Sequence, residues 1–161
     1  LLATSGELEQ AVAQYRTVFG NQPPHGKPGL EYYSYLGYTQ GGWEESRQGL
    51  ERLQRESPND ANISLVLAKL LIRNETTRAE GIRRLSLLAS RPDIGGDATE
   101  SWRLALTWFG VPRPAEKPLF EAYLKAFPDD TEIHADGVLA PVAREVDAAR
   151  RLVRAQAPGR H

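Results

Sequence analysis

Residues 42–60, GWEESRQGLERLQRESPND, and 76–92, TTRAEGIRRLSLLASRP, decide the fold of this chain. In each, a small residue is followed by apolar residues four and seven positions on: Ser46, Leu50 and Leu53 in the first run, Gly81, Leu85 and Leu88 in the second. Positions so spaced share one face of an α-helix. Each run closes on a proline, Pro58 and Pro92, which a helix interior does not tolerate. An earlier run, Ala11, Tyr15 and Val18 ahead of Pro24, has the same form.

Working outward, Pro24, Pro58 and Pro92 stand 34 and 34 residues apart, with Pro128 a further 36 along. A period of about 34 residues is that of the tetratricopeptide repeat, one helix–turn–helix unit at a time. Two antiparallel helices joined by a short turn approach closely only where a side chain at the crossing is small, a need that Ala11, Ser46, Ala68 and Gly81 meet. Turn residues fall between the runs: Gly6, Gly41-Gly42, Asn74, and Pro58-Asn59-Asp60, which ends one helix and caps the next. The pattern predicts helices over 5–19, 29–40, 43–57, 60–73, 76–90, 97–109, 114–127, 131–140 and 142–156, and no strands, because no useful stretch alternates with period two. The expected fold is all-α, a tetratricopeptide-repeat right-handed superhelix (α-solenoid) of antiparallel helix pairs. Residues 1–130 form the array, a partial first repeat plus about three helix pairs, and 131–161 add further terminal helices, kinked or ended at Pro141.

The composition, 40% hydrophobic and 25% charged with a formal net charge of −1, predicts no nucleic-acid partner. There is no cysteine, so thiol chemistry is excluded. No apolar run reaches the roughly 20 residues of a membrane span, and the chain, which opens on LLATSGELEQ without a methionine, reads as a piece of something longer. His25, His134 and His161 have no metal-ligand spacing. Glu44-Glu45 and Asp129-Asp130 are adjacent carboxylates that diverge by about 100° on a helix, and a glycosidase needs two carboxyls facing one substrate. Both pairs suit helix starts, where negative charge meets the positive end of the dipole. The arginines of VAREVDAARRLVRAQ, Arg144, Arg150, Arg151 and Arg154, read as a solvated helix face. With no nucleophile elbow or phosphate-cradling loop, the expectation is no catalytic residue, no metal and no cofactor.

Aromatic residues crowd 30–43, LEYYSYLGYTQGGW. Tyr33, Leu36 and Gly37 match the inward W-x2-L-G element of a repeat, so Tyr33 and Leu36 are expected inside, Gly37 at a close approach, and Tyr32 and Tyr35 off that face. Burying a tyrosine removes roughly 150–250 Å² from water, so most rings should be core: Tyr33, Trp43, Trp102 and Phe109 are placed there. Tyr38, one residue past Gly37, is expected to face the concave groove, with Lys69 and Arg73 on the helix SLVLAKLLIR beside it. Tyr38, Lys69 and Arg73 are the candidate binding residues. The linker NQPPHGKPG is the candidate hinge.

The strings QYRTVFGNQPP and LEYYSYLG, the pair GWEESRQGLERLQRESPND and TTRAEGIRRLSLLA, and SWRLALTWFGVP ahead of LFEAYLKAFPDD resemble, over about 1–130, the amino-terminal periplasmic tetratricopeptide region of the cellulose synthase operon protein C family. The resemblance implies a non-catalytic periplasmic scaffold in bacterial cellulose secretion, followed elsewhere by an outer-membrane β-barrel pore. It implies other cellulose synthase complex subunits as partners, with the glucan chain or peptidoglycan as further candidates and contact with the outer membrane only through that barrel. A general peptide-binding adaptor and a weak carbohydrate-binding module for the emerging glucan are the alternative readings.

Overall fold

The computed structural model describes residues 5–138, and the helix expected over 142–156, with its arginines and Pro141, lies outside them, as does His161. The described residues are predominantly helical: α1 (Ser5–Phe19), α2 (Gly26–Leu36), α3 (Trp43–Glu56), α4 (Ala61–Ile72), α5 (Arg78–Leu88), α6 (Gly95–Thr107) and α7 (Lys117–Ala126), then a two-residue strand pair, β1 (Ile133–His134) and β2 (Gly137–Val138). The chain divides into two compact units, Leu1–Ala105 and Leu106–His161.

Helices of 10 to 15 residues are marginal alone in water, so packing has to hold them. In the first unit α1 to α5 pack each on the next, and α2 also meets α4. The core shared by α1 to α4 contains Val12, Tyr32, Tyr33, Leu36, Leu50, Leu53, Ile63, Leu67, Leu70 and Leu71. The small residues sit where the helices touch. A Cβ on Gly81 would lie 2.7 Å from Ile72 Cγ2, 2.8 Å from the Ile72 nitrogen and 2.9 Å from the Ala68 oxygen, so α5 meets the backbone of α4. Fully buried Ser46 donates its hydroxyl to the Tyr33 carbonyl at 2.6 Å, tying α3 to the end of α2. Gly49 makes the tightest of these contacts: its Cβ would fall 2.1 Å from Cζ of the Tyr33 ring, which lies flush on the α3 backbone.

Local chemistry sets the ends. Asp60 caps α4, its carboxylate accepting from the Asn62 and Ile63 amides at 2.9 and 3.4 Å. At the other end of α4 the Trp43 indole, the Thr77 hydroxyl and Arg78 Nε donate to the carbonyls of Leu70, Leu71 and Ile72 at 3.0, 2.6 and 2.9 Å, the first two of which also accept the Arg73 and Asn74 amides. Helix α2 begins at Gly26 rather than 29, because Pro28 falls in its first turn, where no amide donor is missed. It ends at Leu36, short of the expected 40. The 20–25 linker is tied down: Arg52 donates to the Pro24 carbonyl and, at 3.3 Å, to the Tyr33 hydroxyl, while Gly29 lies against Pro24.

Expectations for individual side chains need correcting. Helix α1 does not use Val18, which is 77% exposed; Val12, Tyr15 and Phe19 pack on the core instead, a face rotated by one residue to meet α2. Tyr32, expected off the packed face, is 3% exposed, because α1 covers it: its ring lies 6.0 Å from Phe19 and 6.4 Å from Tyr15, and its hydroxyl accepts from Arg16 at 3.1 Å. Tyr33 and Trp102 are buried, whereas Trp43 and Phe109 are half-buried.

In the second unit, α7 is followed by a hairpin where a helix over 131–140 was expected. Ile133 pairs with Val138 and His134 with Gly137, around the two-residue loop Ala135-Asp136. Gly137, the first residue after that loop, sits at φ 121°, a backbone that other residues avoid. Asp129 and Asp130 therefore start no helix; the Asp130 carboxylate accepts from the Tyr123 hydroxyl at 2.8 Å. Ile133 is buried, and Phe109 packs on Phe120 with ring centres 5.9 Å apart.

The crossings make a prediction against helix propensity. Gly49→Ala and Gly81→Ala should each destabilise the fold by about 1–3 kcal/mol through overpacking, although alanine is the better helix former. Gly96→Ala, in open space on α6, should leave stability unchanged or raise it by up to about 1 kcal/mol. Urea unfolding of the three variants checks this.

Candidate functional site

The first unit carries two neighbouring cavities along α2 and α4. The larger, about 670 Å³, has Leu30, Tyr35, Leu53 and Ile63 among its apolar walls and Lys27, Glu31, Glu56 and Asp60 on its rim. The smaller, about 120 Å³, shares Ser34 and Val66 with it, is floored by Leu50, Leu65 and Leu70, and is rimmed by Tyr38, Lys69, Arg73 and Asp97. Tyr38, Lys69 and Arg73, 35 residues apart at their extremes in sequence, thus line one cavity.

Each is placed by the turn or helix that carries it. Gly37 permits the approach of α4, since a Cβ there would meet Leu70 Cδ1 at 2.6 Å. The next residue, Tyr38, leaves the helix and is 50% exposed. Arg73 follows α4 and lays its guanidinium over the Tyr38 ring, 3.9 Å from the ring centre, while Nη1 donates to the Gly37 carbonyl at 2.8 Å. That carbonyl ends α2, where the dipole favours a cation. One turn back, Lys69 meets the Asp97 carboxylate at 3.0 and 3.4 Å. Asp97 lies in the first turn of α6, so the same charge serves the helix start and the lysine.

Sequence reading missed Asp97, 28 residues from its partner Lys69, because nothing local marks the pair. It also missed Tyr35 as a wall of the larger cavity. There the Tyr15 ring stacks on Tyr35 at 6.0 Å, and its hydroxyl donates to Glu31 at 2.5 Å. That hydrogen bond to a carboxylate is the main cause pushing the Tyr15 phenol up to about 12. The carboxylates considered for catalysis are engaged elsewhere: Glu44 accepts from Arg47 at 2.6 Å, which holds its carboxyl below the usual range, and Glu45 lies 3.7 Å from Arg16.

The Tyr38–Arg73 contact is testable as an energetic unit. A double-mutant cycle with Tyr38→Leu and Arg73→Met should give a coupling of about 0.5–1 kcal/mol in urea unfolding. Arg73→Lys should lose most of it, because an ammonium does not stack as the planar guanidinium does.

No family model matches this chain, and no solved structure matches it. Curated relatives do. Cellulose synthase operon protein C of Pseudomonas fluorescens (strain SBW25) is 51% identical over 129 residues, covering 80% of this chain and 10% of the relative. The protein of the same name from Xanthomonas axonopodis pv. citri is 41% identical over 133 residues, 83% of this chain and 9% of the relative. That of Escherichia coli K12 is 28% identical over 137 residues, 85% of this chain and 11% of the relative. The chain is therefore homologous to a segment of cellulose synthase operon protein C, and it spans about a tenth of the length of these relatives.

Proposed function

We propose that this chain, homologous to a segment of cellulose synthase operon protein C, is a stretch of tetratricopeptide-type repeats in a cellulose-export protein and acts as a non-catalytic periplasmic scaffold between the synthase complex and an outer-membrane pore. The observation that carries the reading is the coincidence of that homology with small-residue crossings recurring at repeat spacing, Ser46 on α3 and Gly81 on α5, each set against the helix before its own. Stacked helix pairs of this kind bury their faces only against neighbours, which suits a spacer built from many copies.

A scaffold also accounts for the polar residues. Their pairings are structural: Ser46 and Thr77 fill backbone carbonyls, Asp60 caps, and Arg52 staples the linker. Among the described residues, no three His, Cys, Asp or Glu side chains gather as a metal site would need. The aromatic row offers little platform for sugar rings, since Tyr32 and Tyr33 are buried in the core and Arg73 covers a face of Tyr38.

The test removes the residues equivalent to 5–105 from the full-length protein in a cellulose-secreting bacterium, with the amount of the shortened protein in the outer membrane checked. Membranes should still polymerise glucose, while extracellular cellulose should fall about tenfold or more. Unchanged secretion would contradict the scaffold role. Loss of polymerisation itself would assign the segment to synthesis instead.

A further inference from the structure

We infer that the small cavity beside Arg73 is a docking point for an acidic segment of a partner protein, with one carboxylate held by the guanidinium and a neighbouring aliphatic side chain in the cavity. The inference stands on the site alone and does not need the cellulose-export reading.

The charge balance around the cavity points to it. Lys69 is paired with Asp97. In the adjoining cavity, Glu56 is paired with Arg52 and Glu31 accepts from Tyr15. Arg73 differs: among the described residues its interactions are the Gly37 carbonyl and the Tyr38 ring, and no carboxylate is in ion-pair reach. With Nη1 occupied, Nε and Nη2 remain, the edge of the guanidinium that grips a carboxylate with two parallel hydrogen bonds. The flat ring and the carbonyl already hold the group in place, so much of the entropy of ordering a long side chain is spent before a ligand arrives.

The cavity narrows the occupant further. Its volume of about 120 Å³ corresponds to about four waters, room for one aliphatic side chain against Leu50, Leu65 and Leu70. An uncharged glucan supplies no anion for Arg73. A nucleic acid or other extended polyanion presents many charges, whereas the second cation of this cavity, Lys69, is already paired with Asp97. A short protein segment with a single carboxylate beside a leucine or valine satisfies both halves of the site.

The probe is a terminally blocked heptapeptide with one glutamate between two leucines, titrated into the isotopically labelled chain by NMR. A glutamine version, the glutamine version with a free carboxyl terminus, and cellohexaose are run alongside. The glutamate peptide should shift the Gly37 and Arg73 backbone amides and the Arg73 Nε–H, and the glutamine version should bind about three- to tenfold more weakly. Recovery of affinity with the free carboxyl terminus would identify a chain end as the carboxylate source; no recovery identifies a side chain. Arg73→Gln should remove the preference for glutamate. Since Arg73 also bonds to Gly37, salt gives an arm independent of folding: raising it from about 0.05 to 0.5 M should weaken the wild-type complex with the glutamate peptide and leave the glutamine peptide unaffected. Equal binding of the blocked glutamate and glutamine peptides, or tighter binding of cellohexaose, would overturn the inference.

Discussion

The closeness with which Tyr33 lies on Gly49 is the constraint from which the first unit follows. With hydrogen at position 49, the ring reaches the α3 backbone, and a methyl group there would stand 2.1 Å from the ring. That depth brings the Tyr33 carbonyl to the Ser46 hydroxyl at 2.6 Å and the Tyr33 hydroxyl to Arg52 at 3.3 Å. Arg52 in turn holds Pro24, so one ring contact joins the linker, α2 and α3. Gly81 performs the same service between α4 and α5, and Gly37 between the end of α2 and α4. Because the Ile72 nitrogen and the Ala68 oxygen lie beside Gly81 as well as the Ile72 side chain, a shift of that side chain alone cannot relieve a larger residue there.

Much of this was legible in the sequence, and the reasons differ from residue to residue. Ser46 and Gly81 stood out because the face pattern repeats around them, and Asp60 because a carboxylate behind a proline and ahead of an apolar run is a cap. Gly49 was not legible as a contact, since a mid-helix glycine by itself does not say which ring will cover it. Tyr32 was misplaced because the repeat element describes one packed face of α2, whereas this helix has α1 on another. The hairpin was not legible because strands of two residues are too short for period two to show; Gly137, free to take a positive φ, is the local sign of it. Tyr38, Lys69 and Arg73 could be assembled at repeat spacing, while Asp97 could not, because its pairing depends on how α6 meets α4.

The aromatic stretch 30–43 therefore divides by task. Tyr32 seals α1 to α2, Tyr33 seals α2 to α3, Tyr35 stacks with Tyr15 at the larger cavity, and Tyr38 carries Arg73. The first two are core and the last two border open space, so packing and exposed surface fall to residues a few positions apart. The close helix crossings also explain how a surface arginine is held rigid: Gly37 presents its carbonyl to Arg73 only while α4 sits against it.

Native-state amide hydrogen exchange across α2 to α5 tests most directly whether these crossings make one cooperative body. The account predicts that the core amides of the four helices open together with a single free energy, and that Gly49→Ala lowers that shared value in all of them, including the distant α5. Separate opening energies for the α2–α3 and α4–α5 pairs, with the substitution felt only in α2 and α3, would contradict it.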